Sequence, residues 1–336
     1  MRYVGTINRK ILSARSAILD FRIALKWQRD RASLPLTQEH REIYDNLHRY
    51  MWETLGRFPN LTNCDDFNDR IQWIKLFDQC IETVRCTDKI LLRNHVAERL
   101  GEGYCPAIYQ VRDSFDEIDL SALPDRFVIK ANHDCGSVVI VRNKQQFDRT
   151  AARELFARAL ARRFAWERGE WAYSFVKPQV FVEEYLDSGS AQSPPDYKFL
   201  CADGEVKFVH FLYGRGQQLK EQVISIDGTD YGVEFFAHAP YGNTFTRPSN
   251  WEEMISCATK LSRGWKFVRV DLYSINGRTY VGEMTFFPAG GAYPGTGQKM
   301  YGKMLDFDRS TFRPPIAPEK AAAPIKGRRL KMQSCG

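Results

Sequence analysis

Polar and apolar residues alternate in two β-rich segments of the sequence, at 268–272 (VRVDL) and 281–285 (VGEMT). Between them lies an Asn-Gly pair at 276–277, which is a strong signal for a hairpin turn. Because the side chains of a strand alternate between its two faces, the polar residues of each segment share a face. We therefore expect four polar side chains to converge: Arg269, Asp271, Glu283 and Thr285.

The chemistry of this set predicts a metal site. Two neighbouring carboxylates, Asp271 and Glu283, repel each other unless a cation lies between them. Oxygen ligands without a nearby His or Cys are typical of Mg²⁺, usually shared with substrate phosphates, with Mn²⁺ as an alternative. Arg269 adds a planar fork of donors suited to a phosphoryl or acyl-phosphate oxygen. The alternative is a solvated hairpin with a surface ion pair, but the apolar flanking residues favour burial.

A lysine ends a further apolar strand, Phe127–Lys130, and a polar loop follows at 131–137 (ANHDCGS). A lysine is costly to bury without an anionic partner, and a loop with Gly and Ser offers backbone amides to phosphate. The loop is not a Walker A motif, since it does not read GxxxxGK[ST] and a strand, Val138–Val141, follows it. We interpret Lys130 as a phosphate ligand. The alternative is a lysine whose ammonium extends to solvent at a strand end.

A third segment, 181–186 (FVEEYL), places an acid and a tyrosine at the end of an apolar strand. The carboxylate of Glu183 can accept a hydrogen bond from the exocyclic amine of adenine, while the backbone reads the edge of the ring. The alternative is the ordinary end of an edge strand.

Apolar periodicity and capping signals predict the helices that position these segments. We expect helices within 36–80, including Asp66–Cys80, and a helix over Arg153–Trp166. Thr87 and Asp88 are the expected N-cap of a helix that ends before Gly101. A capping box of Ser249 and Glu252 is expected to open another helix.

Further strands are expected where β-branched and aromatic residues run between turn signals. The expected strands are Ile108–Val111, Val180–Leu186, Tyr197–Cys201 and Glu205–Tyr213, and a Gly/Pro-rich loop is expected over Pro288–Gly302.

Composition narrows the class of protein. The 336 residues are 43% hydrophobic, which is enough for one large or two modest cores, and no apolar run is long enough to span a bilayer. The eight cysteines form no CxxC pair and no zinc spacing, which is typical of reduced thiols in a cytoplasmic protein. We therefore expect a cytoplasmic globular protein.

The net charge of +7 is concentrated at the two ends of the chain. Residues 1–35 contain eight Lys/Arg and two Asp, and residues 313–336 contain six Lys/Arg and one Glu. The stretch between them is mildly acidic, which argues against a nucleic-acid partner. The segment Lys10–Trp27 is either an amphipathic helix on anionic lipid or a helix packed on its own domain. The basic carboxyl-terminal end is expected to be a mobile tail.

In their order along the chain, these motifs resemble the bacterial TupA-like ATP-grasp family, which is named for teichuronopeptide biosynthesis. The resemblance covers about residues 60–310. The segments that carry it are 67–76 (FNDRIQWIKL), 87–89 (TDK), 123–130 (LPDRFVIK), 196–199 (DYKF), 269–273 (RVDLY) and 282–285 (GEMT).

The resemblance implies an α+β ATP-grasp fold in which two antiparallel-sheet subdomains clamp ATP, preceded by a helical amino-terminal region. The implied division is 1–60 for the basic helical region, 61–125 for an α/β part, 126–190 for a small lid subdomain, 191–312 for the subdomain with the metal site, and 313–336 for the basic tail.

The resemblance also implies roles for single residues. Phosphate contacts are expected from Lys89, Lys130, His133, Gly136 and Ser137. Adenine contacts are expected from Glu183, Glu184, Tyr185 and Leu186. Magnesium is expected at Asp271 and Glu283, with Thr285 where many members have Asn. Catalytic contacts are expected from Arg269, Lys198 and Arg215. The family's His-Gly-Ser-Gly loop reads His133-Asp134-Cys135-Gly136 here, and Asp134 either faces away from the triphosphate or meets the incoming amine.

The implied activity is that of an ATP-dependent carboxylate–amine ligase, which forms an amide through an acyl phosphate. Kinship suggests a uronic acid of a surface polysaccharide as the acid and an amino acid as the amine. A basic amino terminus fits peripheral contact with the inner face of the membrane. Two alternatives stay open: an ATP-grasp kinase acting on a sugar or glycan, and a non-catalytic nucleotide-binding regulator.

Overall fold

The computed structural model describes residues 2–162, 164–189, 193–215, 217–235 and 239–316, with side chains from residue 15 onward. The helices of these residues are α1 (Arg2–Asp30), α2 (Arg41–Leu55), α3 (Phe67–Phe77), α4 (Ile81–Thr87), α5 (Leu92–Leu100), α6 (Arg149–Leu160), α7 (Trp251–Ser262) and α8 (Gln298–Met304). The strands are β1 (Ile108–Arg112), β2 (Phe127–Ala131), β3 (Val138–Val141), β4 (Val180–Glu184), β5 (Asp196–Ala202), β6 (Glu205–Tyr213), β7 (Lys220–Ile224), β8 (Phe267–Ile275) and β9 (Arg278–Thr285).

The strands form two antiparallel sheets. The small sheet has the order β1-β4-β2-β3, and the large sheet has the order β7-β6-β5-β8-β9. Together with the helices α1 and α2 that precede them, the two sheets confirm the predicted α+β class and helical amino-terminal region. The domain boundaries expected from the sequence stay predictions.

Because side chains alternate along its strands, the small sheet has one apolar face and one face that carries polar side chains. Phe127 and Ile129 of β2 are fully buried in a core that they share with Val182 of β4 and Phe156 of α6. The opposite face of β2 carries Lys130, which is half-buried. The small sheet therefore uses its apolar face to hold α6 and leaves its other face for polar contacts.

The large sheet repeats this division with a larger core. Helix α7 packs on one face, where the Trp251 ring lies 5.6 Å from the ring of Phe199 of β5. Val268 and Val270 of β8 are fully buried in the same core. Arg269, which lies between these two valines, points to the other face because successive side chains of a strand alternate.

Most strand predictions are confirmed, and the helix predictions contain errors with physical causes. Thr87 ends α4 instead of capping the next helix. Asp88 accepts hydrogen bonds from the backbone amides of Ile90 (2.8 Å) and Leu91 (3.3 Å), and α5 begins only at Leu92. The helix expected over 153–166 runs instead from 149 to 160, and the chain continues as a 3-10 turn at 166–168.

The predicted capping box at Ser249 is wrong. The N-cap of α7 is Asn250, and its side chain does not cap the helix. Instead Asn250 donates to the Thr279 hydroxyl (2.8 Å) and accepts from the Ser274 hydroxyl (2.6 Å), which ties α7 to the β8–β9 hairpin. The side chain of the N-cap residue thus binds a distant hairpin instead of capping its own helix.

Three of the described helices and strands escaped prediction: α4, β7 and α8. Strand β7 begins with Lys220-Glu221-Gln222, which reads as a polar loop. Helix α8 occupies 298–304 within the segment that was expected to be a Gly/Pro-rich loop. The basic tail lies largely outside the described residues, since 317–336 are not described.

A buried lysine joins three segments that are far apart in the sequence. The ammonium of Lys75, on α3, donates to Gln72 (2.9 Å) and to the carbonyl oxygens of Arg168 (2.6 Å) and Gly290 (2.7 Å). Its burial lowers the pKa of Lys75 to about 7. The lysine therefore fastens the backbone at Arg168 and at Gly290 to α3.

Candidate active site

Four polar side chains converge on the β8–β9 hairpin, as the sequence predicts. Asp271 is the direct cross-strand partner of Glu283, and Arg269 is the partner of Thr285. On the other side of β8, Asp271 is opposite Lys198 of β5. A row of charged residues therefore crosses the sheet from β9 through β8 to β5.

Arg269 is the centre of this row. Its Nε and Nη2 lie 2.6 Å and 2.7 Å from the two carboxylate oxygens of Asp271. The same Nη2 lies 2.9 Å from Oε1 of Glu283 and 3.0 Å from the hydroxyl of Thr285. One buried guanidinium thus compensates two carboxylates, and its geometry is the bidentate one that stabilises such pairs most.

Lys198 forms an ion pair with Asp271, so both oxygens of this carboxylate contact cations. Glu283 is the outer carboxylate, with 28% of its side chain exposed against 3% for Asp271. Burial alone would raise the pKa of Glu283, but the charges of Lys89, Arg269 and Lys198 outweigh it. They hold the pKa of this carboxyl well below its usual range.

The donor set fits a magnesium ion that is completed by substrate. Within the described ranges no group of three or more His, Cys, Asp or Glu side chains is placed to hold a metal. Asp271 and Glu283 would therefore be the protein ligands, and Mg²⁺ is commonly bound through one or two carboxylates plus phosphate oxygens and water. The Thr285 hydroxyl, which accepts from Arg269 and lies 3.1 Å from Glu283, is already engaged.

The loop between β2 and β3, residues 131–137, brings the small sheet to this row. Asn132 anchors it, since its side chain accepts from the Gln179 amide (2.7 Å) and its carbonyl accepts from the Lys89 amide (3.1 Å). The ammonium of Lys89 donates to the carbonyl oxygen of Asp134. The charge of Lys89 also lowers the pKa of Glu283, so this lysine is close both to the loop and to the charged row.

The acid in the loop turns inward. Asp134 is buried, accepts from the Ser137 hydroxyl at 2.5 Å, and lies 3.7 Å from the guanidinium of Arg162. The hydroxyl of Ser137 is occupied by this hydrogen bond. Whether Asp134 faces away from a triphosphate or meets an incoming amine stays a prediction. Gly136 has φ +101°, a conformation that only glycine adopts readily, and its Cα faces open space.

Two other residues of the loop, His133 and Cys135, have surroundings that limit their chemistry. The ring of His133 is buried, with Nε2 3.1 Å from the carbonyl oxygen of Ala159, so the ring itself is engaged inside the small subdomain. Cys135 lies at the exposed loop tip, yet the surrounding protein partly desolvates its thiol. This desolvation, with the charge of Glu283, raises the pKa of its thiol to about 11, which argues against a reactive thiolate.

Lys130 and Glu183 form the second charged cluster, on the small sheet. The Lys130 ammonium lies 2.5 Å from one oxygen of Glu183, and the guanidinium of Arg93 from α5 lies 2.5 Å from the other. Arg93 was missed by sequence reasoning, because nothing in its helix distinguishes it from a surface arginine. The same sheet face exposes Val138 (39%) and Ile140 (46%), directly opposite Lys130 and Val128.

The remaining predicted adenine contacts lie beyond Glu183. The Glu184 amide donates to the carbonyl of Ala107 (2.8 Å), and its carboxylate accepts from the Ala107 amide (3.1 Å). The amide of Glu184 is therefore occupied by pairing with Ala107, and the backbone contact with adenine stays a prediction. Tyr185 lies at the rim, its ring beneath the guanidinium of Arg126 at 5.3 Å, and Leu186 beside it is half-buried.

Arg215 is placed at the other end of the charged row. Its Nε lies 2.5 Å from the buried carboxylate of Asp196, which is two residues before Lys198 on β5. Burial raises the pKa of Tyr273 well above its usual range, and the charges of Asp196, Glu283 and Asp271 add to it. Asp196 and Tyr273 therefore join the site, although neither was singled out beyond the segments that contain them.

A buried dyad extends the row to β7. His210 is the cross-strand partner of Lys198, and its Nε2 lies 2.7 Å from a carboxylate oxygen of the fully buried Glu221. The other oxygen of Glu221 accepts from the backbone amide of Phe235 (3.1 Å). Burial lowers the pKa of His210, which keeps the ring neutral beside Lys198. No sequence signal identified this dyad, since β7 itself was missed.

Comparison with known proteins identifies the family. A model described as TupA-like ATP-grasp matches residues 69–305, which is more than two thirds of the chain and includes both charged clusters. No curated protein matches the chain.

Solved structures with a similar fold include D-alanine–D-alanine ligases and a phosphoribosylamine–glycine ligase. The ligase from Bacillus anthracis, complexed with ATP, is 18% identical, with 60% of this chain and 54% of that chain covered and a TM-score of 0.31. The corresponding values are 12%, 72%, 66% and 0.38 for the Helicobacter pylori ligase. They are 15%, 62%, 50% and 0.35 for the Thermotoga maritima phosphoribosylamine–glycine ligase. The chain spans half to two thirds of the length of these proteins. With the family model covering most of its length, the chain belongs to the TupA-like ATP-grasp family.

Proposed function

We propose that the chain is an ATP- and Mg²⁺-dependent carboxylate–amine ligase that forms an amide through an acyl phosphate. The observation that carries this proposal is the row in which Arg269 contacts Asp271, Glu283 and Thr285 while Lys198 contacts Asp271. A site that only binds nucleotide has no need of two paired carboxylates, one buried and one partly exposed, that are compensated by two cations.

ATP is proposed to lie between the two sheets. Its adenine would rest on the apolar surface of Val138 and Ile140, with Glu183 accepting from the exocyclic amine. Its phosphates would lie under the loop at 131–137, within reach of Lys89 and Lys130. When bound, the metal supplies charge neutralisation for the β- and γ-phosphates at Asp271 and Glu283.

The chain's own residues then support two steps. An oxygen of the substrate carboxylate attacks the γ-phosphorus, ADP leaves, and the lysines balance the charge of the leaving group. The amine next attacks the acyl carbon, inorganic phosphate is expelled, and the amine nitrogen loses a proton. Arg269 would donate to the acyl phosphate and to the oxyanion of the tetrahedral intermediate, where one preorganised donor is commonly worth about 10²–10³ in rate.

The finer substrate assignment follows from kinship with the family alone. The acid is proposed to be a uronic acid of a surface polysaccharide or its precursor, and the amine an amino acid. The exposed guanidinium of Arg215, 48% accessible and anchored by Asp196, is a candidate to receive the acid substrate.

Phosphate release separates this proposal from its alternatives. A ligase releases inorganic phosphate from ATP only when both an acid and an amine from a panel of uronic acids and amino acids are present. With the acid and hydroxylamine in place of the amine, it forms a hydroxamate from the acyl phosphate. A kinase would form ADP and keep the phosphate on a sugar product, and a regulator would bind ATP without turnover. Either result would contradict the ligase assignment.

A further inference from the structure

Helix α1 has two apolar faces, and one of them is covered by the rest of the protein. Leu19, Ile23 and Trp27 are buried, and the Trp27 ring packs edge-on against Tyr44 of α2 with centroids 4.8 Å apart. The hydroxyl of Tyr44 donates to Asp30 at the end of α1 (2.9 Å). This face of α1 therefore packs on the protein itself, and the question of lipid contact concerns the other face.

The other face carries what we call the outer stripe: Ile18, Phe21 and Leu25, which are 61%, 64% and 44% exposed. Their spacing of three and four residues places them on one side of the helix. Among the described residues seven large hydrophobic side chains are this exposed, and the outer stripe supplies three of them, including the two most exposed. Apolar surface concentrated in this way marks an interaction site, whereas singly scattered exposed residues do not.

A basic flank accompanies the outer stripe. Arg15, Arg22 and Arg29 follow one another at intervals of seven residues, which places them along one side of the helix. All three are exposed, and the guanidinium of Arg22 lies 4.1 Å from the ring centroid of Trp52. Arginine stems at this position extend over apolar surface and present their charge to its edge.

The acids of this region do not cancel the basic flank. Residues 1–35 contain only Asp20 and Asp30 as acids. Asp20 forms an ion pair with Arg49 of α2, and Asp30 pairs with Lys26 (3.0 Å). The outer stripe is therefore bordered by arginine charge alone along its flank.

We propose that the outer stripe docks the protein on an anionic lipid surface. The three apolar side chains would enter the boundary between headgroups and acyl chains, and the arginines would meet the headgroup phosphates. A second copy of the chain is a poorer occupant, because a seam along the stripe would bring rows of like-charged arginines alongside each other. Docking is parallel to the surface, since no helix in the described part of the chain has the length and apolar character to cross a bilayer.

Vesicle sedimentation of the full chain tests the proposal. The protein should sediment with vesicles of phosphatidylcholine mixed with phosphatidylglycerol, and far less with phosphatidylcholine alone. The triple variant Ile18→Gln, Phe21→Gln, Leu25→Gln should lower the partition coefficient by about 100-fold, because it removes the apolar area that enters the interface. The double variant Arg15→Glu, Arg29→Glu should lower it by at least about tenfold on the anionic vesicles.

Matched controls keep the outcome decisive. Ile226→Gln and Phe312→Gln remove apolar side chains that are 40% and 51% exposed elsewhere, and should leave sedimentation unchanged. If the triple variant melts at a lower temperature than the wild type, the double arginine variant, which changes only exposed positions, decides alone. Equal sedimentation of the wild type, the triple variant and the double arginine variant would overturn the proposal. So would a dimer in light scattering that the triple variant abolishes, since that result would assign the stripe to a second copy.

Discussion

The small and large sheets each carry a cluster of charged side chains, but the charges are compensated differently in the two clusters. On the small sheet, one carboxylate, Glu183, is held by two cations, Lys130 and Arg93, beside exposed apolar side chains. On the large sheet, two carboxylates share two cations in a continuous row. The first cluster keeps excess positive charge next to an apolar surface, whereas the second is balanced.

This difference indicates a division of labour. An apolar patch with one surplus cation suits a neutral aromatic ring that is followed by a phosphate. Under the proposed function, the balanced row would exchange partners: Asp271 and Glu283 would hold the divalent cation, and Lys198 would then be free to contact a phosphate oxygen. Substitutions confined to one sheet at a time should show whether the two charged clusters act as separate units.

The largest effect is expected for Arg269→Lys. Lysine keeps the charge but cannot make the bidentate contact with Asp271 while also reaching Glu283 and Thr285. Phosphate release should fall by about 10²–10³, with the KM for ATP nearly unchanged. The control Arg153→Lys, at an exposed ion pair with Asp116 on the outside of the small subdomain, should be neutral. Wild-type turnover in Arg269→Lys would remove Arg269 from the mechanism.

Lys198→Met should separate metal binding from turnover. Without the ammonium on Asp271, Mn²⁺ should bind in the absence of nucleotide about tenfold more tightly than to the wild type, as followed by electron paramagnetic resonance. Turnover should nevertheless fall by about tenfold or more, because the γ-phosphate loses a cation. Lys207→Met, which removes a surface partner of Glu205, is the control. Unchanged Mn²⁺ affinity would contradict the exchange of partners.

On the small sheet, Ile140→Thr should affect ATP binding alone. Replacing apolar surface with a hydroxyl next to the proposed adenine position should raise the KM for ATP about five- to tenfold and leave kcat within about a factor of two. Ile226→Thr, at a similarly exposed isoleucine far from the site, should change neither. A fall in kcat without a change in KM would instead couple this surface to the chemical step.

The smallest effect concerns pH and stability. The folded protein holds the pKa of Glu283 below its value in the unfolded chain, so ionised Glu283 contributes stability above about pH 4.3. That contribution is lost as the pH falls through the lower, folded pKa. In urea unfolding between about pH 6 and about pH 3, the free energy of unfolding should therefore fall more steeply for the wild type than for Glu283→Gln. Parallel slopes would show that Glu283 is not stabilised by its cations.

The site was predictable where local pattern and tertiary contact agree. The β8–β9 hairpin follows from an Asn-Gly turn and alternation, but continuous spacing from that turn would place Asp271 opposite Gly282. A bulge between Asp271 and Leu272 shifts the register and places Asp271 opposite Glu283, and the sequence does not show that bulge. Lys130 and Glu183 could be found on their strands, but their direct pairing depends on the order β4-β2, which the sequence does not contain.

Other parts of the site depend on contacts between distant segments. Arg93 reaches Glu183 across 90 positions of the chain, and nothing in its helix marks it. Glu221 is tolerated in β7 because His210 and the Phe235 amide satisfy it, so its strand reads as a polar loop when taken alone. Asn250 likewise looks like an ordinary linker residue until Thr279 and Ser274 are placed beside it.

The most direct test of the central claim is metal binding by the two carboxylates in the presence of nucleotide. With a non-hydrolysable ATP analogue, the wild type should bind Mn²⁺ tightly, and Asp271→Asn and Glu283→Gln should each lose that binding and phosphate release while still binding the analogue. Glu205→Gln, at an exposed turn, should match the wild type. If either site variant binds Mn²⁺ and turns over ATP as the wild type does, the metal does not lie between Asp271 and Glu283.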